Sequence, residues 1–219
     1  EAKRQGAFSF WNHPGWLGTA QWWPPIATAY SDKLFQGIEL VNGNSYYAEA
    51  HPWIGQHKLT IMSNSDIHRP SLSTEERSLT LLFVREKSLG GVREALDSGR
   101  TVAWQQKRLI GSEALLTSLF RAYVQVPAEI HPPAGTRTAA LLLRNISALP
   151  FDLKVVETPK WMTVTSAQAA PQSTALLTVR LTKEAPTTRQ RVTLRVELSN
   201  ALAGPATPLV APVEFDYVP

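Results

Sequence analysis

Three apolar runs near the start of the chain each end in a short polar cluster. Phe8 to Trp11 leads into Asn12-His13-Pro14-Gly15, Ile38 to Val41 into Asn42-Gly43-Asn44, and Leu59 to Met62 into Asn64-Ser65-Asp66-Ile67-His68. On an extended segment, residues two apart share a face, so the Asp66 carboxylate and the His68 imidazole can reach one metal cluster. An isolated Asp-x-His is more often an aspartate that opens a turn followed by an incidental histidine. His13, at a matching strand end, turns the balance toward a metal site.

These residues are far apart in sequence, so the fold must bring them together. Ala7 to Trp11, Gly37 to Val41 and Leu59 to Met62 read as buried parallel strands, and Tyr46 to Gln56 and Leu89 to Ser98 as helices. Thr80 to Val84 and Thr101 to Trp104 read as further strands closing this layer, with Leu115 to Tyr123 as a last helix at its edge. Strands alternating with helices imply βα units in a parallel sheet or barrel, and polar residues gather at the carboxyl ends of such strands. His13, Asn42, Asp66 and His68 would then face one another across one mouth.

The opening Glu1-Ala2-Lys3-Arg4-Gln5-Gly6 reads as a last helical turn with a glycine stop. The chain is therefore expected to start inside a βα repeat, with the earlier strands elsewhere in the natural protein. Six of the seven tryptophans precede residue 105, whereas the tail is rich in Leu, Val, Thr and Pro. This shift predicts a first domain over residues 1–125, a proline-rich linker over 126–136 and a second domain over 137–219. The tail carries strand-like runs at Ala139 to Ile146, Phe151 to Val156, Met162 to Thr165, Thr174 to Leu181, Arg191 to Leu198 and Val213 to Tyr217. Their spacing predicts an immunoglobulin-like β-sandwich without helices. The fold class is α/β plus all-β.

Composition narrows the function classes. With 43% hydrophobic and 18% charged residues in 219, neither a disordered chain nor a coiled coil is expected, and no apolar run is long enough to span a membrane. The net charge of +4 comes from 22 basic and 18 acidic residues scattered along the chain, a weak basis for binding nucleic acid. The absence of cysteine removes disulfides, thiolate metal sites and cysteine nucleophiles, and it suits a periplasmic or otherwise exported protein. No P-loop, serine elbow or dinucleotide fingerprint occurs.

His13-Pro14-Gly15, Ile38-Glu39-Leu40-Val41-Asn42 and Asn64-Ser65-Asp66-Ile67-His68, in that order and spacing, resemble the closing third of the polymerase-and-histidinol-phosphatase (PHP) family. Leu79 to Val84, Leu89 to Leu96 and Gly99-Arg100-Thr101 resemble the end of the same domain, so the likeness covers about residues 1 to 105. With the sandwich tail, the chain resembles the exported bacterial branch that includes phosphodiesterases. The resemblance implies a distorted seven-stranded βα barrel, of which this chain holds the C-terminal portion, and two or three divalent metal ions. It carries ligand roles onto His13, Asp66 and His68. The family's other ligands, an early His-x-His pair, a glutamate and further histidines, are expected on the missing N-terminal half. Asn64 stands where many members have glycine.

Hard oxygen and imidazole donors suit Zn, Mn or Fe, and two such ions activate a bridging water and clamp phosphoryl oxygens. A small phosphate ester, with a phosphodiester preferred, is the implied substrate, attacked by a metal-bridged hydroxide with Asp66 as proton acceptor. Trp16, Trp22 and Trp23 sit in a long loop with Pro24 and Pro25 and are candidates to wall the substrate pocket; Arg69, beside His68, is a candidate phosphate contact. His51 reads as structural, His57 as a helix C-terminus and His131 as solvated. His13, Asp66 and His68 are expected within about 5 Å of one point, given metal bonds of ~2.0–2.2 Å. Two alternatives remain: a metal-dependent amide or lactone hydrolase on the same scaffold, and a non-catalytic module in which the tryptophans and the sandwich grip a glycan or a protein.

Overall fold

The computed structural model describes residues 1–68 and 77–219. It is mixed α/β, mostly sheet with few helices, and divides into two compact units: Glu1–Leu116 with Leu202–Thr207, and Thr117–Ala201 with Pro208–Pro219.

The first unit opens with a tight turn in which Gly6 N–H donates to Lys3 C=O and Ala7 N–H to Ala2 C=O, both at 3.0 Å. Gly6 stands at φ +68°, and the pattern is a Schellman closure. There follow β1 (Phe10–Trp11), α1 (Pro24–Ser31), β2 (Gly37–Asn42), β3 (Ser45–Tyr46), a 3₁₀ turn at Ala48–Ala50, α2 (His51–His57) and β4 (Thr60–Asn64). β1 and β4 both pair parallel with β2, and β3 folds back antiparallel onto its end. Parallel neighbours require crossovers, which α1 and α2 supply. Gly37 sits where the three parallel strands crowd: a Cβ there would lie 3.0 Å from Thr60 O and 3.1 Å from Phe10 Cβ.

Residues 37–41 of β2 are all buried, as expected of a strand covered on both faces. Ile38, Leu40 and Val41 share a core with Phe35, Leu59 and Ile61, flanked by Trp11, Trp22 and Trp53. Each aliphatic side chain so buried contributes roughly 1.5–3 kcal/mol.

Two expectations change here. The loop expected around Pro24 and Pro25 is helical from Pro24 onward, because proline's fixed φ and missing N–H suit the first helical turn. Of the helix expected over Tyr46 to Gln56, only the second half is α-helical; Tyr46 pairs in β3 instead.

Next come β5 (Leu79–Leu82), α3 (Leu89–Asp97), β6 (Thr101–Gln105) and β7 (Arg108–Ile110). They do not extend the parallel layer as expected but form an antiparallel ribbon, β5-β6-β7. The two-residue connection Gln106-Lys107, with φ +48° and +68°, makes β6 and β7 a hairpin. Thr80 Oγ1 ties the ribbon to β4, accepting from Ser63 N–H and donating to Ser63 C=O, each at 2.8 Å. α3 is capped by Ser88, whose Oγ accepts from Gly91 N–H at 3.0 Å.

The helix α4 (Glu113–Tyr123) leads into the second unit, whose described residues contain no further helix. Its strands are β8 (Val124–Gln125), β9 (Glu129–Ile130), β10 (Thr138–Asn145), β11 (Phe151–Glu157), β12 (Met162–Val164), β13 (Ala167–Ala169), β14 (Ser173–Leu181), β15 (Gln190–Gly204) and β16 (Thr207–Tyr217). One sheet runs β12-β14-β10-β8; the other contains β13-β11-β15, with β16 beside β15. Burial alternates residue by residue along β10, the mark of a strand with one face on the core. Asn145 is fully buried; its amide donates to Leu149 C=O at 2.7 Å and its Oδ1 accepts from Ser147 N–H at 3.0 Å, pinning the β10–β11 turn. The segment read as linker contains β9, which pairs parallel with Asp216 and Tyr217 and buries Ile130. The hairpin tip Leu202–Thr207 belongs to the first unit, where Leu202 C=O accepts from Gly111 N–H at 3.1 Å.

Candidate functional site

Chain ends of the parallel strands carry the polar residues. Just past β1, His13 adopts φ +47°, and just past β4, Asp66 adopts φ +51°. Left-handed backbone is uncommon outside glycine and concentrates at functional positions, with aspartate and histidine among the better-tolerated residues. Trp16 N–H donates to His13 C=O at 2.9 Å, and this turn sets the Trp16 ring 5.7 Å from the imidazole.

Beneath His13 lies Glu39, in the middle of β2 and only 1% exposed. A carboxylate buried this deeply must be hydrogen-bonded on both oxygens. Oε2 accepts from the His13 backbone N–H at 2.8 Å and lies 2.6 Å from His13 Nδ1, while Oε1 accepts from Asn42 Nδ2 at 3.2 Å and from Asn64 Nδ2 at 2.6 Å. Glu39 and Asn42 are three apart and would face opposite sides of a regular strand. The register of β2 against β4 shifts between Glu39 and Val41, and such a bulge re-aims side chains, so both reach His13. Asn42 Nδ2 is also 3.1 Å from His13 Nδ1. Nδ1 is thus the ring nitrogen that faces the Glu39 carboxylate, and Nε2 has no hydrogen bond among the described residues.

His13, Asp66 and His68 line one cavity of about 470 Å³ together with Trp11, Trp16 and Trp23. Asp66 Oδ1 and His68 Nε2 are 3.4 Å apart, and the His68 side chain is 85% exposed. Among the described residues, no three His, Cys, Asp or Glu side chains close around an ion-sized point. The donor types nevertheless fit a divalent cation: an imidazole anchored through one nitrogen with the other free, and a carboxylate paired with a second imidazole on the same cavity. Tyr47 packs at the edge, its ring 2.7 Å from where a Cβ on Gly15 would stand. Burial pushes its phenol pKa up, with the Glu39 and Asp66 carboxylates adding to the rise.

Trp16 is 73% exposed over the cavity, but Trp22 is not a pocket wall. It stacks on His57 at 4.0 Å and 5° and meets Trp53 edge-on, packed against the core of the first unit. The reason is α1, whose Tyr30 meets the Trp22 ring edge-on at 5.6 Å and, like Trp22, packs against the core of the first unit. Asn42 supports His13 from below rather than lining the cavity. Arg69 lies outside the described residues. His51 is buried, its Nδ1 2.6 Å from Tyr46 Oη.

Glu39, Asn64 and Tyr47 had been given no part in the site from sequence. The available signal was a lone acidic residue inside an otherwise apolar buried run, since glutamate is almost never fully buried without partners. Asn64 supplies Glu39 with a side-chain hydrogen bond at 2.6 Å that no apolar residue at that strand end could make.

A parallel βα layer whose strand ends present imidazole and carboxylate donors to one cavity is an architecture suited to metal-assisted hydrolysis. No protein-family model matches the sequence, and no curated protein matches it. Among solved structures, the chain is similar to a two-domain protein from Bacteroides vulgatus containing a predicted PHP-like metal-dependent phosphoesterase, at 31% identity and TM-score 0.85 over 97% of this chain. The chain spans 63% of that protein's length. A Bacteroides ovatus GH5 xyloglucanase and the Vibrio cholerae VesB protease each match at 10% identity, with TM-scores of 0.25 and 0.28. They cover 43% and 57% of this chain, and 18% and 44% of their own, and carry no argument.

Proposed function

We propose that the protein hydrolyses phosphate esters, with phosphodiesters as substrates, in a metal-dependent reaction, and that this chain supplies part of the site. The observation that carries this reading is the convergence of His13, Asp66 and His68 on one cavity. The likeness to the Bacteroides vulgatus protein supports it. On this reading the first unit is a portion of a PHP barrel and the second an immunoglobulin-like sandwich. The remaining ligands come from a part of the natural protein outside these residues. We place the protein in the periplasm or otherwise outside the cytoplasm; fractionation of cells producing the natural protein tests this, and recovery with cytoplasmic markers would refute it.

Two or three divalent ions of the Zn, Mn or Fe kind would be held by His13, Asp66 and His68 with those further ligands, and would acidify water and offset phosphoryl charge. His13 offers Nε2, its other nitrogen being engaged by Glu39. Asp66 takes one proton of the attacking water as the water oxygen bonds to phosphorus and the bond to the leaving oxygen breaks, and that proton then goes to the departing alkoxide, giving the alcohol and the phosphate product. Trp16 and Trp23 offer flat apolar faces to the part of the substrate that does not react.

The test is turnover of a nitrophenyl phosphodiester with added Mn²⁺ or Zn²⁺, comparing the full-length natural protein, its Asp66→Ala variant and this chain alone. The full-length protein turns over; the variant and the isolated chain do not. Full activity in the variant would remove Asp66 from the site, and robust activity in the isolated chain would show that no further ligands are required.

A further inference from the structure

We propose that Glu39 is a positioning residue that holds His13 in the tautomer protonated on Nδ1, and so presents Nε2 as the ligand nitrogen. The proposal rests on the metal site put forward above, but the contact itself is independent of any metal. Glu39 is buried, so its carboxylate is not free to reach a ligand in the cavity, and every donor around it comes from the site's own strand ends. One oxygen takes both His13 groups, the backbone N–H at 2.8 Å and Nδ1 at 2.6 Å. The other takes Asn42 and Asn64 at 3.2 and 2.6 Å.

The arrangement does two things at once. Gripping both the backbone and the ring of one residue leaves little freedom about the His13 side chain, and it stabilises the left-handed backbone at φ +47°. A carboxylate can only accept, so the ring nitrogen 2.6 Å from it carries the proton, and the Asn42 amide, 3.1 Å from the same nitrogen, donates to the other Glu39 oxygen instead. The opposite nitrogen then keeps its lone pair. Asn64 completes the grip by donating from β4 to the other oxygen, which links the orientation of His13 to the strand that delivers Asp66.

The experiment reads the ring nitrogens of His13 by long-range proton–nitrogen NMR. It uses the ¹⁵N-labelled full-length protein without metal, above the ordinary imidazole pKa, with His13→Gln giving the assignment. The same is done for Glu39→Gln, and Zn²⁺ binding is measured by calorimetry for both. The parent shows the proton on Nδ1. Glu39→Gln can present an amide N–H to the ring and abolishes the preference, and Zn²⁺ affinity falls roughly 10–100-fold, the usual cost of losing a partner behind a metal-bound histidine. Asn42→Ala, which loosens the grip but keeps the carboxylate, preserves the tautomer. A proton on Nε2 in the parent overturns the proposal, and so does an unchanged tautomer with affinity within about twofold of the parent in Glu39→Gln. If Glu39→Gln does not fold, the tautomer of the parent and of Asn42→Ala still decides. Absent phosphodiester turnover alongside the expected tautomer and affinity changes refutes the proposed reaction and leaves the role of Glu39 standing.

Discussion

Replacing Trp22 by alanine separates a structural tryptophan from a substrate-binding one. Trp22 stacks on His57 with centroids 4.0 Å apart and meets Trp53 at 5.3 Å, Tyr30 at 5.6 Å and Trp11 at 5.9 Å. Fully buried Trp→Ala changes cost about 3–5 kcal/mol, and each aromatic pair adds about 0.5–1.5 kcal/mol beyond the area it buries. Trp22 is only half-buried, which places its loss near the lower end, about 3 kcal/mol. For a chain of this length that lowers the thermal midpoint by roughly 6–12 °C. Trp16, 73% exposed, should change stability by less than about 0.5 kcal/mol. The assay is urea unfolding of the full chain followed by far-ultraviolet circular dichroism, which does not depend on the deleted fluorophore, with both variants beside the parent. In the full-length protein, Trp16→Ala should raise KM for the phosphodiester while Trp22→Ala leaves KM near its parent value where folded. If Trp22→Ala unfolds within 0.5 kcal/mol of the parent, or Trp16→Ala costs as much as Trp22→Ala, the division between the two tryptophans is wrong.

Two further outcomes follow from buried polar groups. Burial pushes the His51 imidazole pKa down against the opposing effect of the Ala203 carbonyl, so the unfolded chain takes up the proton first as pH falls. The stabilisation is complete above the ordinary value of about 6.5 and is lost as pH drops through the folded-state pKa. Thermal midpoints measured from about pH 8 to 5 should therefore fall more steeply for the parent than for His51→Gln, and equal slopes would exclude this role. Thr101 is fully buried and its Oγ1 has no hydrogen-bond partner among the described residues, so Thr101→Val should stabilise the chain by about 1 kcal/mol in urea unfolding; a loss of stability would reveal an unseen partner for the hydroxyl.

Much of this architecture is written in local sequence. Apolar runs such as Gly37 to Val41 bury because their composition has no polar face to show water, and α3 starts at a serine cap and stops before Gly99, at φ +65°, so its bounds are readable from capping chemistry alone. The alternation in the tail likewise announces strands with one face on a core, as β10 shows. His13, Asp66 and His68 could be singled out because histidine and aspartate recur after two separate buried strands, a coincidence that a single polar turn does not produce. Tertiary structure alone decided the rest. Whether Trp22 or Trp16 faces the cavity depends on where α1 turns the chain, and two adjacent prolines in sequence do not distinguish a loop from a first helical turn. The partnership of Glu39 with His13, 26 residues away, depends on a bulge in β2 that breaks the two-residue period on which any strand reading relies. A local pattern carries the propensity of each segment; the register between segments is set by how side chains pack across strands, and that information resides in no single stretch of the chain.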